Sequence, residues 1–159
     1  MGMFGKRKTS PVGAADRVDT EPARSNGHGA PTAVTGLTDL HTIAARGTAV
    51  EVQECIAAGA DVNEPNRVGY TPLSIAASRG DVDVARALLE QGADVDRTDP
   101  NGTTALAAAV LNSKGNGEMI SLLLEHGANP RKPNNRGQSP LELARRMTSY
   151  DVVRFFEHA

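Results

Sequence analysis

From Val82 to Leu89 the apolar side chains Val82, Val84, Ala85, Leu88 and Leu89 fall at helical spacing, with Asp83, Arg86 and Glu90 on intervening and following positions. This spacing predicts a helix with one buried face, ending at Gly92, where a left-handed cap is natural. A shorter element precedes it. Thr71 stands directly before Pro72, so a capping hydroxyl sits ahead of the residue best tolerated at the first helical position. The helix starting there packs small residues such as Ala76 and Ala77 against its neighbours and stops at Gly80. After Gly92, "ADVDRTDPNGTT" contains Pro100 and Asn101-Gly102 and reads as turns.

The same wording returns along the chain: "GADVNEPNRVGYTPL" begins at Gly59, "GADVDRTDPNGTTAL" at Gly92 and "GANPRKPNNRGQSPL" at Gly127. Leu40, Leu73 and Leu106 recur every 33 residues, and Leu141 follows after 35. A fixed period in this range signals a stacked-repeat solenoid. The units read "TDLHTIAARG…VQECIAAGADVN", "TPLSIAASRGDVDVARALLEQGADVD", "TALAAAVLNSKGNGEMISLLLEHGANP" and "SPLELARRMTSYDVVRFFEHA". They strongly resemble the ankyrin-repeat family, whose signature is a "TPLHLAA" helix start, a Gly turn, a second helix ending in "LL" and a "GADVN" loop. The resemblance implies an all-α solenoid of stacked helix-turn-helix units with β-hairpin-like finger loops. It covers residues 36–159, with repeats at about 36–66, 67–99, 100–134 and 135–159.

Faces that meet a neighbouring repeat must be apolar, whereas an end face can be polar. In the first unit Glu51 and Glu54 occupy the places of Val84 and Ala87, Met119 and Leu122, and Val152 and Phe155. The first unit therefore opens the stack. The last replaces the Gly turn with "MTSYDVV" and closes on Phe155 and Phe156, with Arg145, Arg146 and Arg154 for the solvent side. Residues 1–35 are rich in Pro, Gly, Ser and charge without a burial period, and are expected to form a disordered tail. Within it, "GKRKTSP" reads as a solvated cluster, with a nuclear address, a phosphorylation site or a membrane-surface contact as sharper alternatives.

Composition narrows the function. A net charge of −2 and a pI near 6.1 give no electrostatic reason to expect nucleic acid or an anionic membrane as partner. Aromatic content is 3% and Trp is absent, which suits small packed helices better than a base-stacking surface. The single cysteine, Cys55, fits a reducing compartment. No apolar run reaches the length of a membrane span, and a polar segment follows the basic start where a secretory signal needs its apolar region. Lys6 stands where a myristoylation signal after Met1-Gly2 wants Ser or Thr. A cytoplasmic monomer is expected.

No constellation of catalytic type emerges. Cys55 shares its place with Leu88, Leu123 and Phe156, which marks it as a buried, inert thiol. His41 falls at the histidine of the "TPLH" start, which the resemblance makes a structural hydrogen-bonding residue. His28, His41, His126 and His158 are scattered, so no metal is expected. Asp94, Asp96 and Asp99 lack the glutamate and loop length of a calcium site. "NSKGNG" at residues 112–117 lacks both Walker spacing and a preceding strand, and reads as a loop lengthened by two residues. No cofactor is expected.

The remaining candidate is a surface. The resemblance places partner contacts on the finger tips and the exposed first-helix residues lining a concave groove. By alignment these are Arg67, Val68, Tyr70, Ser78 and Arg79; Asn101, Thr103, Leu111 and Asn112; and Asn135, Arg136, Gln138 and Arg146. Tyr70, Arg67 and Arg79 stand out, because Tyr and Arg are enriched in binding hot spots. The expected function is non-enzymatic binding of another protein, with inhibition of a toxin or enzyme as the sharper variant, since the last unit resembles the closing repeat of small bacterial ankyrin proteins. The alternative is a ligand-binding or catalytic protein using the loop at 112–117. Charge is uneven: Glu51, Glu54, Asp61, Glu64, Asp81 and Asp83 load the early units, and Arg131, Lys132, Arg136, Arg145, Arg146 and Arg154 the last. Such a gradient orients an encounter with a partner of opposite polarity.

Overall fold

The computed structural model describes residues 39–147 and 149–157; the tail expected over residues 1–35 and the first positions of the opening unit lie outside them. Among the described residues seven α-helices follow one another: α1 (Leu40–Arg46), α2 (Ala49–Ala57), α3 (Pro72–Arg79), α4 (Val82–Glu90), α5 (Ala105–Asn112), α6 (Glu118–Glu125) and α7 (Pro140–Arg146). A 3₁₀ turn, Val153–Phe156, closes the chain of elements. Helices α1, α3, α5 and α7 pack on one another in that order, α2, α4 and α6 form a second row, and the 3₁₀ turn completes it against α6 and α7. No strand forms among the described residues; one antiparallel bridge, Thr98 to Thr104, pins the finger ahead of α5.

Each first helix starts on a side-chain cap in the same register. The hydroxyls of Thr71, Thr104 and Ser139 accept from the backbone N–H of Ser74, Ala107 and Glu142, and all three cap residues are buried. A buried donor left without its partner would cost about 1–3 kcal/mol, so the cap also aligns each helix start with the stack. Helix α3 stops at Gly80 in the left-handed conformation (φ 76°), as its sequence predicts. Helix α5 instead runs into Ser113, Lys114 and Gly115, the lengthened loop. The last unit departs further: with no Gly turn after α7, its second helix shrinks to the single 3₁₀ turn.

The core lies between the two rows. Leu73, Leu88, Leu106, Ile120 and Leu123 are essentially inaccessible, whereas Leu141 in α7 is only half-buried. Glu51 and Glu54 are exposed where Val84, Ala87, Met119, Leu122 and Val152 are buried, and Arg145, Arg146 and Arg154 face solvent.

Carboxylates join the caps of the outer first helices, Asp39 at α1 and Glu142 in a capping box with Ser139 at α7, whereas the inner two rely on hydroxyls alone. Partial burial works to raise the Asp39 carboxyl, but donors from Thr42 Oγ1, the His41 backbone N–H and ring, and the Thr42 N–H outweigh it and hold the group low. Glu142 is lowered by the Ser139 N–H and hydroxyl, with Arg145 and Arg146 assisting. A carboxyl depressed in the folded state contributes stability above its unfolded value and loses it as pH falls through the folded one. Full stability is therefore expected above pH 4.5, the higher of the ordinary values 3.8 and 4.5, with an acid-induced decline below. In an acid titration followed by circular dichroism, Asp39→Asn, Glu142→Gln should show a shallower decline than the wild type. An unchanged acid limb would refute the assignment.

Candidate functional site

The fingers share one frame. Asn66, Asp99 and Asn134 each accept two backbone N–H groups on their Oδ1: from Val68 and Tyr70, from Asn101 and Thr103, and from Arg136 and Gln138. The N–H of each of the three bonds back to the carbonyl of Tyr70, Thr103 or Gln138, closing a tight loop over a glycine. Asn and Asp favour this local bonding, so the sequence fixes each tip before any partner arrives. Below the tips, Asn63 Oδ1 accepts from the Asp94 N–H and Asp96 Oδ1 from the Asn129 N–H, tying each unit to the next. The carboxylates at 94, 96 and 99 are thus engaged with backbone donors at Asp96, Asn129, Asn101 and Thr103.

The predicted contact residues fall at three places on this frame. Arg67, Val68, Asn101, Asn135 and Arg136 are exposed at the tips, with Tyr70, Thr103 and Gln138 half-buried at their bases. Tyr70, which the resemblance grouped with the contact residues, is thus only partly exposed. Ser78, Arg79, Leu111, Asn112 and Arg146 are exposed at the last turns of α3, α5 and α7. Ser78, Arg79 and Asn112 share one cleft, and the Asn135 N–H bonds to the Asn101 carbonyl. Asn135 also donates its amide to the Pro100 carbonyl, which makes it a brace between fingers. Gly102 lies against Asn135 for the same reason: a Cβ there would stand 2.6 Å from Asn135 Oδ1.

The residues considered for chemistry have structural surroundings. Cys55 is buried, and that burial, followed by the negative charge of Asp39, pushes its thiol up. His41 donates from Nε2 to the Glu64 carbonyl at 2.7 Å, linking α1 to the next finger. His126 bonds through Nδ1 to the Leu122 carbonyl; His28 and His158 lie outside the described residues. No group of three or more His, Cys, Asp or Glu among the described residues is placed to hold a metal ion.

The lengthened loop is seated on the last unit, which the sequence reading did not anticipate. Gly115 touches the Tyr150 ring, and Gly117, the residue ahead of α6, lies buried against Phe155. Two glycines flanking Asn116, matched by two aromatics in an aromatic-poor chain, were the available signal. No described helix is long and apolar enough to cross a membrane.

Comparison with known proteins accords with this architecture. The family model for ankyrin repeats (3 copies) matches residues 20–99 and 95–158. Similar proteins include the ankyrin repeat and KH domain-containing protein mask of Drosophila melanogaster, 38% identical over 82 residues, which are 52% of this chain and 2% of that one. The probable E3 ubiquitin-protein ligase XBOS34 of Oryza sativa subsp. japonica is 35% identical over 112 residues, 70% of this chain and 22% of that protein. Ankyrin repeat and SOCS box protein 16 of Mus musculus is 37% identical over 116 residues, 68% of this chain and 25% of its own. The chain thus spans a quarter or less of the length of these relatives.

Proposed function

The chain belongs to the ankyrin-repeat family, generally a family of protein-interaction modules, and from that premise we propose a non-enzymatic protein that binds another protein across its finger tips and first-helix ends. The observation that carries this reading is the division of labour within each unit. Residues that repeat are buried or bonded into the frame, while the unrepeated ones between them are largely left to solvent. Val68 at 65% and Leu111 at 54% exposure are two of only four large apolar side chains so exposed among the described residues. Exposed apolar side chains among polar neighbours suit a contact surface. Where the partner is an enzyme or a toxin, covering its working surface would make this chain an inhibitor. A monomer acting in the cytoplasm fits the single, buried cysteine.

The test is affinity capture from native lysate with wild type and an Arg67→Ala, Tyr70→Ala, Arg79→Ala variant whose fold is checked by circular dichroism. A stoichiometric protein retained by wild type and lost by the variant is expected. The same protein retained by both would remove the function from this surface.

A further inference from the structure

The charge that runs unevenly along the sequence is sorted in the fold by layer. On the first helices the carboxylates are Asp39 and Glu142, and both are engaged with donors at the helix N-termini. The opposite ends carry Arg46, Arg79, Arg145 and Arg146, all exposed. The second row reverses the sign, with Glu51, Glu54, Asp83, Glu90, Glu118 and Glu125 exposed against Arg86 and Arg154. Among the described residues no arginine stands within ion-pair distance of a carboxylate; Arg145 and Arg146 act on Glu142 only through space, and the one close contact of this type is His41 with Asp39.

Reading across the stack at equivalent positions gives two rows: Ala45, Ser78, Leu111, Arg146 and Arg46, Arg79, Asn112, Met147. Asn112 turns its amide back onto the Ala108 carbonyl, and Leu111 is the exposed apolar side chain at the centre. Beside it is a cleft of about 310 Å³ whose lining includes Arg79, Lys114, Ser113 and Asn112, with no carboxylate. The surface therefore presents cation, apolar side chain and cation on three successive helices.

Resting on the protein-binding reading above, we propose that the partner segment is an acidic extended peptide with an apolar residue between two carboxylates. One carboxylate enters the Arg79–Lys114 cleft, the apolar side chain covers Leu111, and the other carboxylate meets Arg146. Packed helices lie about 8–10 Å apart, and an extended chain of polyproline-II form advances about 3.1 Å per residue and returns its side chains to the same face every third residue. One helix step thus equals about three residues, or one turn, of such a peptide, which sets the pattern as acidic, two spacers, apolar, two spacers, acidic, all three on one face. Carboxylate–arginine pairing supplies directional, charge-assisted bonds, and the central apolar contact separates this peptide from a generic polyanion. With 3% aromatic residues and no Trp, the chain has little with which to stack bases, which disfavours a nucleic acid on the same cations.

The test is selection of random twelve-residue peptides displayed on phage by the full chain, followed by fluorescence anisotropy of the selected peptides. The expected consensus has the stated spacing. Arg79→Glu and Arg146→Glu should each weaken the selected peptide at least about tenfold, since a charge-assisted contact is worth about one decade or more. Leu111→Ser should weaken it several-fold, and Arg86→Glu, on the other row, should leave it unchanged. A basic or non-acidic consensus, or an empty selection, overturns the proposal; if the capture variant still loses its partner, the wider protein-binding reading survives. Equal displacement by single-stranded polyuridylate would also overturn it, by assigning the cations to a nucleic acid.

Discussion

Leu106→Ala is expected to lower the unfolding free energy by about 2–5 kcal/mol, against a total of about 5–15 kcal/mol for a domain. Leu106 is wholly inaccessible in α5, and α5 packs between α3 and α7. The cavity is walled on both sides by packed helices, so its neighbours have little room to collapse into it. The effect should exceed the loss of one side chain's burial, because a solenoid is held by nearest-neighbour interfaces and α5 serves two of them. Urea unfolding should show a lower midpoint and a shallower slope, as the units on either side begin to unfold separately. Leu141→Ala is the control: half-buried in α7, which among the described residues packs on one first helix, α5, rather than two, it should cost less than half as much. Equal costs at the two positions would contradict the packing order.

The stack was legible because the forces that build it act locally and repeat. A hydroxyl before Pro72, a glycine at Gly80 and apolar positions at helical spacing each predict a helix boundary, and the structure places α3 and α4 there. Burial at Cys55 and exposure at Glu51 and Glu54 followed from comparing equivalent positions. What was not legible depends on contacts between residues far apart in the chain. Asn135 read as a contact residue, and only the approach of two fingers shows its amide held by Pro100. Tyr70 read as a contact residue, yet it is half-buried at the base of a finger whose Asn66 holds its backbone N–H. The charge pattern along the chain resembled a gradient, because a linear sequence does not display that Glu51 and Arg46 belong to different rows.

Gly117→Ala carries the second large expectation, and it decides what the lengthened loop is for. Gly117 has an ordinary backbone (φ −93°), so alanine meets no conformational penalty there. The cost comes from contact alone: a Cβ would overlap Cε1, Cε2 and Cζ of Phe155, whose ring also lies under the Arg154 guanidinium at 4.8 Å. Overpacking of this kind typically costs about 1–3 kcal/mol. In a Phe155→Ala background the same substitution should cost almost nothing, a coupling that chemical denaturation of the four proteins of a double-mutant cycle would measure. Gly115 provides the contrast. It touches Tyr150 but also holds φ 89°, a left-handed conformation that costs any other residue about 1–2 kcal/mol, so Tyr150→Ala should rescue Gly115→Ala only in part. Full coupling at Gly117 and partial coupling at Gly115 would establish the loop as a docked strut between the third and fourth units. A loop held that way by its own chain has little freedom to close on a small ligand. Free tolerance of alanine at Gly117 would mean the loop is not seated on Phe155, and the ligand-binding alternative at residues 112–117 would then be the one to pursue.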